Sequence, residues 1–329
     1  MTFEESITGH MTAIDVMLSH EGMPLKGRPL SAAIFFVKEC ILEISGDTKD
    51  DYAAKPWFAI IYHHIEQWYR DHYGAAFNAE TDSTAIGVVL IRDIPIQLQV
   101  PLTTSRLEVP GETVWLKFPV EVDADEEPLS WLVAPPTLDR LNDGERAKVI
   151  ASVADVARGL RSIKLNLMVV EPKDDPVNDL LASVLPELET AAHNIQRNDP
   201  KCWGTALWSL QMAVERTLKA FSQQKSGTFR ELHNLLELYD DVALHGVAVK
   251  RDLLKKLPRE KEVMNYRYGL GDLPRLGEVI EAYKAALSVV SGFSRAFERT
   301  LNIGGARFLI KKAPWIELPP STSSDSAPE

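Results

Sequence analysis

Six basic residues crowd residues 250–261 and are the clearest candidates in this chain for chemistry with phosphate. The stretch contains only two acids, Asp252 and Glu260, so its local charge is +4. Clustered lysine and arginine make the phosphate contacts of nucleic-acid-binding proteins, but the simpler interpretation of such a cluster is a solvated helix face. Both interpretations stay open. The six residues are Lys250, Arg251, Lys255, Lys256, Arg259 and Lys261.

Three histidines near the amino terminus raise the question of a metal site. His64 and His72 lie eight residues apart on a predicted helix, with His63 and Glu66 beside them. No carboxylate completes a His-Glu-x-x-His pattern, which is the arrangement that would hold zinc. The chain also has no P-loop, no Gly-x-Gly-x-x-Gly, no Gly-x-Ser-x-Gly and no Cys-x-x-Cys. We therefore predict neither a metal nor a cofactor.

The composition is that of a folded protein with an acidic surface. Hydrophobic residues make up 45% of the chain and charged residues 25%, which is ordinary for globular domains. A length of 329 residues is enough for two such domains. The 36 basic and 47 acidic residues give a net charge of −11. A field of that sign does not attract nucleic acid, so any such contact has to come from a local basic patch.

The amino terminus and the cysteines indicate a cytoplasmic protein. The first five residues, Met1-Thr-Phe-Glu-Glu5, carry acid where a secretory signal needs base, and no apolar segment follows. Cys40 and Cys202 are too few and too far apart for a disulfide framework. The longest apolar runs are too short to cross a bilayer, so we expect no membrane association.

Hydrophobic periodicity predicts a mainly α protein with an amino-terminal α+β domain. Helices are expected over about 2–18, 29–44, 51–73 and 142–164, the last with Val149, Ile150, Val153, Val156 and Leu160 facing inward. Alternating apolar residues predict strands at 85–91, 94–102 and 114–122, forming one antiparallel sheet over 84–133. We expect this domain to span 1–165, followed by a Pro-containing linker at 166–176.

The residues after the linker predict an antiparallel helical bundle over 177–302. One helix carries an apolar seam with alternating steps of four and three, and Ala206, Ala213 and Ala220 beside it permit close packing. The next helix is expected to open at Thr228 with Glu231 as its capping box, and the last to run from about 272 to Leu301. The tail, 303–329, is predicted to be partly disordered. The seam consists of Trp203, Leu207, Leu210, Val214, Thr217 and Phe221.

Three segments of the bundle resemble a HEPN domain, the nucleotide-binding domain of higher eukaryotes and prokaryotes. ALWSLQMAVERTLK at 206–219 resembles the family's helix that ends in a glutamate and a lysine four apart. TFRELHNLL at 228–236 resembles the following helix, and NYRYG at 265–269 resembles the arginine-tyrosine segment before the last helix. Each motif is loose, but their order and spacing together are more specific. The resemblance covers the bundle alone.

The resemblance implies a bundle of four or five helices that dimerises, and in many members a metal-independent ribonuclease. Those enzymes use an arginine followed closely by a histidine, which handles the proton of the ribose 2′-hydroxyl while the arginine stabilises phosphate charge. Arg267 matches the arginine, but the last histidine of this chain is His245. The family's usual base is therefore missing. Asp272 could accept a proton in its place, although capping the final helix is its simpler role.

The same resemblance implies a ligand site made of Glu215, Lys219, His233, Arg267 and Tyr268. For Glu215 and Lys219, four apart on a helix, the alternative is a surface ion pair. For His233 the alternatives are a half-buried residue with a backbone partner and a site residue near Arg267 across the bundle. The expected ligand is a nucleotide or an RNA phosphate.

Three functions follow as hypotheses. The first is a non-catalytic, bacterial-type HEPN-like protein that forms a homodimer through its bundle, binds nucleotide or RNA, and meets a protein partner through residues 1–165. The second is a divergent ribonuclease of a defence or toxin–antitoxin system, with Arg267 as clamp and Asp272 or His233 as base. The third is a structural interaction module. The missing histidine favours a protein that is not an enzyme.

Overall fold

The computed structural model describes residues 3–78, 84–109, 113–171, 175–267, 270 and 273–311. These residues are mainly α-helical, with a small antiparallel two-stranded sheet and a second sheet of three strands. The predicted fold class, mainly α with a small antiparallel sheet, is confirmed. The chain forms two compact units, one of residues 1–82, 106–115 and 309–329 and the other of residues 83–105 and 116–308.

The first unit packs its amino-terminal helices around an apolar core. The helix predicted over 29–44 is shorter in the structure. α2 is followed by a single π-helical turn at Phe36–Cys40, and the chain becomes extended at Ile41. α3 ends at Gly74 as predicted, where a φ of +51° suits glycine. Ile7, Met11, Phe58 and Ile65 are buried between the helices. The helices are α1 Phe3–His20, α2 Arg28–Phe35, α3 Pro56–Tyr73 and α4 Ala75–Asn78.

The second unit begins with a β-hairpin, β1 Thr84–Ile91 and β2 Ile94–Pro101. Its register runs from Thr84 opposite Pro101 to Ile91 opposite Ile94, so both predicted strands are confirmed to within one residue. Arg92 and Asp93 form the two-residue turn with φ values of +51° and +61°. Two positive values in succession match the twist of a tight hairpin.

The other sheet differs from the prediction of one sheet over 84–133. Its strands are β3 Thr104–Val109, β4 Thr113–Lys117 and β5 Arg307–Lys311, in the order β3-β4-β5. The predicted strand 114–122 therefore ends early, and it pairs within this sheet rather than with the hairpin. β5 lies in the segment predicted as a tail, whereas residues 312–329 lie outside the described residues.

Helix α5, Asp143–Leu167, packs on the hairpin. The Asn142 side chain accepts a hydrogen bond from the Glu145 amide, and the Glu145 side chain accepts one from the Asn142 amide. This pair is the capping box that starts the helix. Four of the five residues predicted to face inward are buried, but Ile150 is 37% exposed, so that prediction is wrong for Ile150. It lies one position beyond Val149, at the margin of the apolar face.

The remaining helices surround α8, which contacts α6, α7, α9, α10 and α11. Every residue of its predicted seam is buried, and Ala206, Ala213 and Ala220 have no exposed surface, so the bundle seam is confirmed. The alanines allow neighbouring helices to approach closely. The helices are α6 Asp175–Ala182, α7 Val184–Gln196, α8 Pro200–Ser226, α9 Leu235–Val242, α10 Glu260–Arg267 and α11 Leu276–Ala296.

Three predicted helix boundaries in the bundle are wrong. Residues 227–234 are not helical, and α9 starts at Leu235 with Asn234 as its cap, so Thr228 caps no helix. α11 starts at Leu276 with Arg275 as its cap, so the predicted capping role of Asp272 is wrong. α11 ends at Ala296, because Phe297 turns to an extended conformation, and it does not reach Leu301.

The predicted linker, 166–176, does not coincide with the division between the compact units. Its first residues are tied to the chain beyond α11, since the Glu171 amide donates to the Glu298 carbonyl at 2.9 Å and Val170 bridges to Arg299. α5 packs directly on α11. The hairpin, α5 and the bundle therefore share one core.

Candidate functional site

The long helix α8 holds a buried ion pair. Glu215 and Lys219 lie one turn apart on the same face, and the Lys219 ammonium donates to Glu215 Oε1 at 2.7 Å. Their side chains are 6% and 10% exposed, so the interpretation as a surface ion pair is wrong. Burying two charges costs free energy that their attraction does not always recover. Such a pair therefore calls for an explanation beyond stability.

His233 completes this cluster from the loop before α9. Its Nδ1 lies 3.0 Å from Glu215 Oε1 and 3.1 Å from Oε2, while its side chain is 61% exposed. The interpretation as a half-buried histidine with a backbone partner is therefore wrong. Because an ionised carboxylate only accepts, Nδ1 must carry a hydrogen, and in the neutral ring Nε2 then holds the free lone pair. We call Glu215, Lys219 and His233 the carboxylate cluster.

Two further residues support the carboxylate cluster. The Gln211 side chain, one turn before Glu215 on α8, donates to the His233 carbonyl at 3.0 Å and fixes the loop. Its own carbonyl, Oε1, is buried with no hydrogen-bond partner among the described residues. The half-buried ring of Phe229 lies 5.8 Å from the Lys219 ammonium. We did not predict Gln211 or Phe229, although the spacing 211, 215, 219 on one helix was a signal for Gln211.

Three of the other predicted site residues fall wholly or partly outside what the structure describes. The side chain of Arg267 and the whole of Tyr268 and Asp272 lie outside the described residues. The backbone of α10 beside Arg267 packs on Gly204, where an added Cβ would lie 3.2 Å from Cβ of Tyr266. Gly204 is eleven residues before Glu215, which is three turns and about 16 Å along α8.

The basic stretch 250–261 is largely exposed and partly neutralised. Arg251 donates two hydrogen bonds of 2.7 Å to Asp240, which lowers the pKa of that carboxyl. Asp240 and Glu281 add two negative charges from outside the stretch and reduce its +4 to +2. In the described part of the chain, Lys250, Arg259 and Lys261 have no ion pair. The paired members are Arg251 with Asp240, Lys255 with Asp252 and Lys256 with Glu281.

The histidines of α3 are engaged with aromatic neighbours. The His72 ring stacks on Trp68 with centroids 4.6 Å apart, and His63 lies edge-on to His64. Within the described ranges, no three His, Cys, Asp or Glu side chains are grouped to hold a metal ion. Within the same ranges, no helix has the length and apolar character needed to span a membrane.

No protein-family model, curated protein or solved structure matches this chain. The resemblance of segments 206–219, 228–236 and 265–269 to a HEPN domain therefore stays a prediction from their residues. The candidate site offers a buried carboxylate, a buried ammonium and an exposed imidazole held through its Nδ1 atom.

Proposed function

We propose that this chain is a HEPN-like binding protein that holds a nucleotide or an RNA phosphate at the carboxylate cluster without cleaving it. The observation that carries the proposal is that one buried carboxylate, Glu215, fixes both the Lys219 ammonium and the exposed His233 imidazole. Apolar residues would fill the same space at lower free-energy cost. Polar groups kept at such a cost are typical of binding and catalytic sites.

The cluster offers the contacts that a nucleotide needs. The charges of Glu215 and Lys219 cancel, so the exposed imidazole of His233 is the group of the cluster that a phosphate can reach. Phe229 presents a half-buried ring at the same place, and aromatic faces stack on unpaired bases. We therefore expect nucleotide binding of modest affinity at the carboxylate cluster.

A second candidate function, metal-independent RNA cleavage, is favoured by the orientation of His233. A carboxylate that fixes one ring nitrogen and leaves the other free is how histidine bases are held in hydrolytic enzymes. Cleavage also needs a cation that stabilises the developing phosphate charge. Lys219 is neutralised by Glu215, and the backbone beside Arg267 lies three turns away along α8. Binding without cleavage is therefore our first proposal.

Titration calorimetry with AMP and with a short single-stranded RNA, each in EDTA, tests both candidates. For binding, we expect heat of association and a raised melting temperature in the natural protein, both lost in His233→Ala. The matched control is His63→Ala, which removes an exposed histidine from the other compact unit. Cleaved RNA that becomes intact with His233→Ala would replace the first proposal by the second. Neither binding nor cleavage would leave a structural interaction module.

The proposal includes the homodimer that the HEPN resemblance implies, and a protein partner for residues 1–165. Sedimentation velocity at two concentrations tests the dimer. A single species with the mass of one chain, 36.7 kDa, at both concentrations would exclude it.

A further inference from the structure

The second compact unit contains a cleft that shares no residue with the carboxylate cluster. Its volume is about 550 Å³, and it is lined by β1, α5 and α11. Ligand sites for small molecules typically occupy 300–1,000 Å³. The cleft therefore has the size of a small-molecule site, and its walls decide which molecule fits.

One wall is the open edge of β1. In a hairpin with a two-residue turn, Ile91 and Ile94 exchange both backbone hydrogen bonds, so the even-numbered residues of β1 point their amides away from β2. The Ile86 amide agrees with this, since it donates to Glu189 Oε1 at 3.0 Å. Val88 and Leu90 line the cleft, and the described residues provide no backbone partner for their outward groups.

Tyr283 provides a buried hydroxyl at the same wall. The residue is 1% exposed, and its hydroxyl faces the outward amide of Val88 on β1. Burial raises the pKa of Tyr283, so the hydroxyl keeps its proton. Tyr283 therefore adds a polar group to the β1 side of the cleft.

The facing helix α11 contributes a polar stripe with positive charge. Lys284, Ser288, Ser291 and Arg295 follow steps of four, three and four, so they share one face. Arg295 donates to the Ser291 hydroxyl at 3.0 Å, which holds the guanidinium in place. No carboxylate pairs with Lys284 or Arg295 within the described residues.

The net charge of the cleft is positive. Within the lining, Asp155 cancels Arg158, which donates to it at 2.9 Å, so Lys284 and Arg295 leave a charge of +2. Glu121, which accepts from Arg158 at 2.5 Å but is not a lining residue, reduces that charge to +1. Its other walls are apolar, formed by Val88, Val89, Leu90, Val156, Ile280 and Leu287.

We propose that this cleft binds a small organic acid with an apolar body. The carboxylate pairs with Arg295, because a guanidinium already held by hydroxyls binds a carboxylate with two hydrogen bonds at little entropic cost. The body lies along the apolar wall of β1 and α5. Lys284, eleven residues earlier on α11 and about 16 Å away, attracts the anion without contacting its carboxylate.

Decanoate is the probe, and decanol and decyltrimethylammonium are its matched comparisons. Calorimetry on the full chain should give a dissociation constant for decanoate at least tenfold lower than for decanol, and no binding of the cation. Equal affinity for decanoate and decanol would overturn the proposal, since the charge of the cleft would then play no part.

Three variants locate the binding. Arg295→Met should weaken decanoate at least tenfold and leave decanol unchanged, whereas the control Arg197→Met removes an exposed arginine of the same unit and should change neither. Ser288→Trp fills the cleft from an exposed position and should abolish binding without unfolding the protein, as circular dichroism would verify. Unchanged affinity in Arg295→Met and Ser288→Trp would place the probe elsewhere and overturn the proposal.

Discussion

The guanidinium of Arg161 is completely buried and donates two hydrogen bonds to the carboxylate of Glu126. It also donates to the carbonyls of Pro101 at 2.7 Å and Glu121 at 3.0 Å. One side chain of α5 therefore holds the end of β2 and the segment after β4. Because each of the three guanidinium nitrogens donates to an acceptor, the buried charge is compensated as buried ion pairs require.

Arg161→Met should destabilise the second unit by about 3–5 kcal/mol, because it leaves Glu126 buried without its partner. Urea unfolding followed by circular dichroism measures the change. The double variant Arg161→Met with Glu126→Met should recover most of the loss, since no unpaired charge then remains. Equal losses in the single and double variants would show that the packing of Arg161, rather than its charge, is responsible.

Lys219→Met should destabilise the bundle by about 3 kcal/mol, because it leaves the buried carboxylate of Glu215 without its ammonium partner. Urea unfolding followed by circular dichroism measures the loss. Adding Glu215→Met should recover most of it, since no unpaired buried charge then remains. A double variant as unstable as the single one would contradict this role of the ion pair.

Asp47→Asn should change the acid stability of the first unit. Asp47 accepts hydrogen bonds from the Lys55 ammonium, the Thr48 amide and the Trp57 indole. These bonds lower the pKa of Asp47 to about 2. A carboxylate whose folded pKa lies below its unfolded value of about 3.9 stabilises the fold above that value and loses this effect as pH falls towards 2.

Melting temperatures from pH 6 to pH 2 test this sign. The natural protein should melt higher than Asp47→Asn at pH 6, and the gap should shrink between pH 4 and pH 2. Asp50 is an exposed acid of the same loop, and Asp50→Asn is the control. This control variant should melt at nearly the same temperature as the natural protein at every pH. A gap that widened on acidification would contradict the prediction.

Gly292→Ala should destabilise the protein by about 1–3 kcal/mol, because the new Cβ would lie 2.3 Å from Cγ2 of Val249. Valine is stiff and short, so it cannot move aside as the end of a long side chain could. Chemical denaturation measures the loss. Adding Val249→Ala removes the colliding methyl, so the double variant should lose less than the sum of the single losses. Strict additivity would mean that the two residues do not touch.

The parts of the fold that the sequence predicted are those set by local repetition. The hairpin follows from alternating residues around the Arg92-Asp93 turn, and the α8 seam follows from steps of four and three. The prediction of where α9 starts was wrong because the sequence contains two competing capping signals. Asn234 with Glu237 is as good a local cap as Thr228 with Glu231. Gln211 and Glu215 resolve the competition by holding His233 in a loop, and that contact is tertiary.

The sequence predicted which residues form the candidate site, but not that Glu215 and Lys219 are buried. The spacing of Glu215 and Lys219 is the same for a surface pair and for a buried one. Burial depends on the helices packed around α8. The stripe on α11 and the open edge of β1 meet only through the fold, since Val88 and Arg295 are about two hundred residues apart in the chain.

The strand order β3-β4-β5 also means that β4 lacks its neighbour β5 for much of protein synthesis. β4 ends at Lys117 and its neighbour β5 starts at Arg307, 190 residues later. At 5–20 residues per second, the ribosome needs about 10–40 s to make that intervening chain. For that interval one edge of β4 exposes unpaired amides and carbonyls to other nascent chains. We therefore expect truncation before Arg307 to make the protein aggregate during expression, even though the hairpin, α5 and the bundle helices are all complete.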